Sequence, residues 1–193
     1  MTPICVLRSG GEFNPEHVQW LAGQVPGLVC LSDSEVQGVE TIKLRYDWPK
    51  WWSKLEMFSD AVDDDLMFYD LDTVVLRPLK AQSQTTVLQD FFCDDRIGSG
   101  LMYIKRSDKA PIWDSWIANP AGHMMRCGNW GDQWFLNGRL GNAQRWQSIA
   151  PVYSYKGHCK EGLPDDAAVV CFHGKPRPWD VRQPWIPQLK GGE

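Results

Sequence analysis

The N-terminal segment sets an apolar run, a helix opening and a second apolar run in succession, an order that leaves few folds open. Pro3-Ile4-Cys5-Val6-Leu7-Arg8 is short, apolar and ended by Ser9-Gly10-Gly11, the signature of a buried strand. Asn14-Pro15-Glu16 then opens a helix. Asn14 can cap it, Pro15 suits the first helical position, and Glu16 suits the positive end of the helix dipole. Val18, Leu21, Ala22 and Val25 supply the apolar stripe, and Pro26-Gly27 ends it. Residues 28–31 form a second apolar run that closes at Ser32-Asp33. Two strands joined by one helix predict a parallel sheet with a right-handed crossover.

The remaining chain extends this pattern. Strands are expected at residues 41–44, 66–69, 85–88, 101–105 and 167–172, and helices at 53–62, 107–118 and 132–139. A chain of 193 residues that is 43% hydrophobic is sized for one α/β domain over residues 1–193. Only the tail 183–193, rich in Pro and Gly, reads as loosely held. The formal charge of −4 argues against nucleic acid as the main partner, since a protein that holds a phosphate backbone by charge is usually basic. No run is long enough for a membrane span, and the N-terminus lacks the pattern of a signal peptide. The six cysteines form no Cys-x-x-Cys pair, which predicts buried free thiols in a reducing cytoplasm. Eleven tryptophans are many; those in polar or Pro-rich settings, Trp48, Trp51, Trp52, Trp130, Trp179 and Trp185, are of the kind that stack on sugar rings, though core packing is the plainer reading of any single one.

The chemistry gathers in a few segments. Asp70-Leu71-Asp72 follows the apolar run Leu66-Met67-Phe68-Tyr69. Alternate residues of a strand share a face, and ligands collect at the carboxyl ends of strands in such sheets. Two carboxylates there suit Mn²⁺ or Mg²⁺ and, through it, phosphate; the plain alternative is a strand end capped by Asp. A second apolar run delivers Cys171-Phe172-His173-Gly174-Lys175-Pro176-Arg177 to the same edge. His173 is a possible third metal ligand, Gly174 permits close approach of a phosphate, and Lys175 and Arg177 can neutralise a diphosphate. Asp132-Gln133 sit at a helix start, Lys54 on a helix before the carboxylates, and Gly98-Ser99-Gly100 before a strand. Each of these has a structural alternative: a cap, a solvated charge, a tight turn.

Taken in order, these pieces resemble the retaining family 8 glycosyltransferases, the glycogenin and bacterial lipooligosaccharide galactosyltransferase group. The matching elements are Lys54-Leu55, Asp70-Leu71-Asp72, Ser99-Gly100, Asp132-Gln133 with Leu136-Asn137, and His173-Gly174 with Arg177-Pro178-Trp179. The resemblance spans about residues 3–180 and implies a GT-A fold with a mostly parallel central sheet. It implies transfer of a hexose from a UDP-sugar, with retention, to an acceptor that it leaves open as glycan, protein or other. Asp70, Asp72 and His173 would bind Mn²⁺ (or Mg²⁺), and Lys175 or Arg177 the diphosphate. Lys54, Asp132 and Gln133 would meet the donor sugar, beside Ser99 and Gly100. The stretch from Val6 and Leu7 to Asn14 would carry base and ribose.

The chain departs from the pattern at Gly98, where the family has Asn, and in the short spacing from His173 to Arg177. Two rival readings stand beside it. One is a non-catalytic sugar-nucleotide-binding module of the same fold. The other is a haloacid-dehalogenase-type phosphatase, with Asp70 as nucleophile and Asp72 as general acid.

Overall fold

The computed structural model describes residues 1–189. A seven-stranded sheet forms its centre. Its strands are β1 (Thr2–Leu7), β2 (Val29–Ser32), β3 (Glu40–Lys43), β4 (Leu66–Tyr69), β6 (Thr86–Gln89), β7 (Ile97–Ile104) and β8 (Gln144–Arg145). Their spatial order is β3-β2-β1-β4-β7-β6-β8. The first four run parallel, β7 is antiparallel to both neighbours, and β6 and β8 pair in parallel. This is the mostly parallel α/β sheet that the sequence predicts. A second sheet of three strands, β5 (Thr73–Val75), β10 (Val169–Cys171) and β9 (Val152–Ser154), is added to it.

Helix α1 (Pro15–Ala22) makes the crossover from β1 to β2. Asn14 is its cap: Glu16 donates its backbone N–H to Asn14 Oδ1 at 3.0 Å. Leu7, Met67 and Tyr69 face α1 and the small sheet, in one apolar cluster with Leu21 and Val169. Ile4, Phe68 and Met102 face the other way, toward a 3-10 segment (Lys50–Phe58), α2 (Arg106–Ile117) and α4 (Gly131–Leu140). The two-residue period of the strands thus builds two apolar layers. Trp116 is fully buried in the second layer, stacked on Trp52 at 5.4 Å and meeting Trp48 edge-on at 5.1 Å.

Several expectations are corrected. The helix expected at 53–62 is the 3-10 segment and starts earlier, at Lys50. Gly98-Ser99-Gly100 lie inside β7, not before it. Helix α3 (Pro120–Cys127) and the strands β5 and β9 were not expected. The tail is held where it is described: Ile186 is buried, Leu189 packs on the core, and Trp20 Nε1 donates to the Pro187 carbonyl at 2.8 Å. Residues 190–193 of that tail lie outside the described residues. All six cysteines are free, five of them buried. Among the described residues, no helix is long and apolar enough to cross a membrane.

Candidate functional site

A cavity of about 680 Å³ opens at the carboxyl ends of β1, β4 and β6, where the start of antiparallel β7 also lies. Its volume is in the range of small-molecule sites. Strand β4 ends at Tyr69, and the chain turns sharply into β5. Asp70, Leu71 and Asp72 all line the cavity, with the Leu71 side chain buried against the core.

Lys54 occupies the centre of the charged floor. Its Nζ lies 3.0 Å from Asp70 Oδ1, 3.1 Å from Asp132 Oδ2 and 3.3 Å from the Ser99 carbonyl oxygen, to which it donates. Ser99 Oγ donates to Asp132 Oδ2 at 2.8 Å. Burial pushes the Lys54 pKa down, but the charges of Asp132 and Asp70 outweigh it and hold the amine above the usual lysine range. Asp132 lies in the first turn of α4, whose cap position is Trp130, so its carboxylate faces the ammonium instead of capping the helix. Gly100 allows this packing: a Cβ there would stand 3.1 Å from Asp70 Oδ2.

Arg177 forms the opposite wall. It reaches from the loop after β10 to Asp72 and to Glu12, with Nε 3.0 Å from Glu12 Oε1 and Nη2 2.5 Å from Glu12 Oε2. Burial first, and the Asp70 charge second, raise the Asp72 carboxyl to about 7, even against Arg177. Asp70 is raised by burial as well, although 37% of its side chain opens to the cavity. For both carboxyls, burial outweighs the pull of the neighbouring cations.

Val6, Ser99, Gln133, His173 and Gly174 also line this cavity, together with the charged residues just described. Gln133 Nε2 donates to Asp90 Oδ2 at 3.0 Å. Three expected residues are placed elsewhere. Leu7 points into the core because Val6 takes the cavity face of the strand. The Asn14 side chain is spent on the α1 cap. Lys175 lies outside the cavity lining, with Nζ 3.0 Å from Glu12 and 3.6 Å from Asp180.

His173 reaches the cavity with its ring already engaged. Its Nε2 is hydrogen-bonded to Ser154 Oγ at 2.7 Å, and its ring stacks on Phe91. Burial lowers its pKa, and the charged groups acting on it are Lys156 and Asp90. Among the described residues, no three His, Cys, Asp or Glu side chains are gathered as a metal cage. The donor chemistry of Asp70 and Asp72 still fits a hard divalent ion. Such an ion commonly takes one or two carboxylates and completes its shell with water and phosphate oxygens.

Sequence reasoning missed Glu12, Asp90 and Phe92 among the cavity residues. Asp90 carried the same signal as Asp70, a carboxylate just after an apolar strand, without the second carboxylate that drew notice.

The glycosyltransferase GlyE of Streptococcus pneumoniae TIGR4 superposes with a TM-score of 0.63 over 92% of this chain and 56% of that one, at 12% identity. Its apo form gives 0.59, over 92% and 55%, at 11% identity. The chain has a glycosyltransferase fold. It spans about half the length of the solved structures it matches. No family model matches the sequence, and no curated protein does either. At this identity the likeness shows the fold, and the family 8 assignment goes beyond it.

Proposed function

We propose that this chain is a glycosyltransferase that moves a hexose from a UDP-sugar, UDP-glucose or UDP-galactose, to an acceptor hydroxyl with retention. The observation that carries the reading is the charged floor: Asp70, Asp72 and Asp132 set around Lys54 and Arg177, at the carboxyl edge of a glycosyltransferase-fold sheet. Asp70 and Asp72 would hold Mn²⁺ or Mg²⁺. Such an ion offsets the charge that grows on a departing diphosphate.

Arg177 holds a fixed positive charge beside Asp72 and would be the cation that meets the diphosphate. Gly174, with a positive φ of 79°, and Gly100 present backbone without side chains to the cavity. Lys54 fixes Asp70 and Asp132 in one arrangement, so the floor needs little rearrangement during the reaction. Gln133, held by Asp90, would meet the donor sugar. In the transfer, the bond from the anomeric carbon to the diphosphate oxygen breaks. The acceptor oxygen bonds to that carbon, and its proton leaves on the diphosphate.

Titration calorimetry of UDP, GDP, ADP and CDP with Mn²⁺ tests the reading. UDP is expected to bind best, and UDP-hexose is expected to be cleaved slowly. Equal, negligible binding of all four overturns the proposal. Tight UDP binding without cleavage or transfer makes the chain a binding module instead. Release of phosphate from simple phosphomonoesters is the outcome a phosphatase gives.

A further inference from the structure

Three aromatic side chains that the core does not use stand around the cavity mouth. Trp51 is 41% exposed, Phe92 67% and Trp130 63%, and all three line the cavity. They come from separate segments: the 3-10 segment, the loop after β6, and the turn before α4. Large aromatic side chains left exposed while lining one cavity mark a binding site more often than a fold requirement.

The rim is braced. Trp51 lies flat against the backbone of Gly131, where a Cβ would come within 2.4 Å of its Nε1 and φ is +63°. Trp130 is backed by the Arg96 guanidinium at 4.6 Å, which also covers Trp134 at 5.4 Å. Gln89 Nε2 donates to the Arg96 carbonyl at 2.7 Å, and Gln133 to Asp90 at 3.0 Å. The loop after β6 and the start of α4 are therefore tied to each other across the opening.

Planar polar groups stand beside these faces: the Asp90 carboxylate and the Gln133 carboxamide. A pyranose presents a flat C–H face and an edge of hydroxyls, and that pairing matches an indole and a carboxylate lining one cavity. A nucleic-acid strand would instead need a track of free cations. Of the cations lining the cavity, Arg8, Lys54 and Arg177 are ion-paired to carboxylates, and Lys50 lies over Trp51 at 5.5 Å. With a net charge of −4, little attracts a polyanion.

We propose that Trp51, Phe92 and Trp130 form the acceptor platform, which receives the terminal pyranose of a neutral glycan while Asp90 takes its hydroxyls. The role as acceptor rests on the transferase reading; the saccharide site itself does not.

Saturation-transfer NMR on the full chain tests it, with maltotriose, lactose, mannotriose and chitotriose as probes, and with (dT)₁₂ and a serine-rich peptide for comparison. At least one saccharide is expected to bind. Trp130→Ala and Phe92→Ala should each weaken it about tenfold, the loss of one good stacking contact. Trp130→Phe should recover most of the binding. Met125→Ala is the surface control: Met125 is 80% exposed on α3, outside the cavity, and its loss should change nothing. Failure of every saccharide to bind, saccharide binding indifferent to Trp130→Ala, or occupation of Trp130 by (dT)₁₂ or the peptide overturns the platform. UDP calorimetry on the unaltered protein reads the donor side separately, so a platform that binds sugar without UDP would sink the transferase reading alone.

Discussion

Lys54 Nζ sits between Asp70 Oδ1 at 3.0 Å and Asp132 Oδ2 at 3.1 Å, so a single ammonium holds together residues from β4's end and from α4. Lys54 is nearly buried, as is Asp132. Removing the ammonium leaves two carboxylates without the cation that lies between them.

Lys54→Met should therefore be destabilising by about 3 kcal/mol, the low end for breaking a buried pair, because Asp70 has some access to the cavity. Lys54→Met with Asp132→Asn should regain part of that loss, since the second change removes one of the stranded charges. Urea melts of the two variants check it. If the double variant is no more stable than the single, the two residues are not coupled as the geometry says.

The lysine also shows how far the sequence could be read. β1, β2, β4 and α1 were legible because each is a continuous apolar or 3.6-period run bounded by Gly, Pro or Asn. Of the small sheet only β10 was, as the end of an apolar run; β5 and β9 are three residues long and sit within loop-like sequence. α3 carries Pro120 and Gly122 in eight residues, with too little apolar spacing to register as a helix. Asp70, Asp72 and Asp132 were legible as chemistry, because a carboxylate at a strand or helix end has a local signal. Their partners were not: Lys54 with both carboxylates, and Arg177 with Asp72, meet only through the tertiary fold. His173 was read correctly as reaching the sheet edge, but its ring turns to Ser154 of a strand the sequence did not disclose.

Gly98, the departure from the family pattern, has a packing reason. A Cβ there would lie 3.0 Å from Leu88 Cβ, beside the register shift between β6 and β7. Gly98→Asn should lower stability by about 1–3 kcal/mol, the usual range for overpacking. It should not improve donor binding. A variant that melts with the unaltered protein would show that the strands give way easily.

Glu12 competes for the cation assigned to the diphosphate. The Arg177 hydrogen bond first, aided by Lys175, holds the Glu12 carboxyl at about 2, so it stays charged at every working pH. Glu12→Gln should free Arg177 and strengthen UDP binding a few-fold, roughly the value of one exposed charge contact. Calorimetry with Mn²⁺ reads this. Weaker binding in Glu12→Gln would mean that Glu12 positions Arg177 and does not compete for it.

Asp72 gives the sharpest pH test. Its carboxyl is raised from 3.8 to about 7 in the folded chain, by burial and by Asp70. A raised group contributes stability that is fully present below its unfolded value and lost as pH climbs through its folded one. The window is therefore about pH 4 to 7. Other groups overlap it with the opposite sign: the depressed imidazoles of His17, His123 and His173 destabilise the fold as pH falls below their usual value. Glu12 and Asp65, both held at about 2, act only below pH 4 or so. The difference between Asp72→Asn and the unaltered protein cancels these and leaves Asp72 together with Asp70, whose carboxyl is also raised and whose charge acts on it. At pH 5 the two should melt together, because Asp72 is already neutral. At pH 8 the asparagine variant should melt higher by a few degrees, the shift expected for about 1 kcal/mol in a domain of this size. Addition of Mn²⁺ with UDP at pH 8 should raise the melting point of the unaltered protein and leave the variant nearly unmoved. If Asp72→Asn instead melts lower at pH 8 and keeps the ligand-induced rise, Asp72 serves as the structural partner of Arg177, and the metal and nucleotide assignment falls with it.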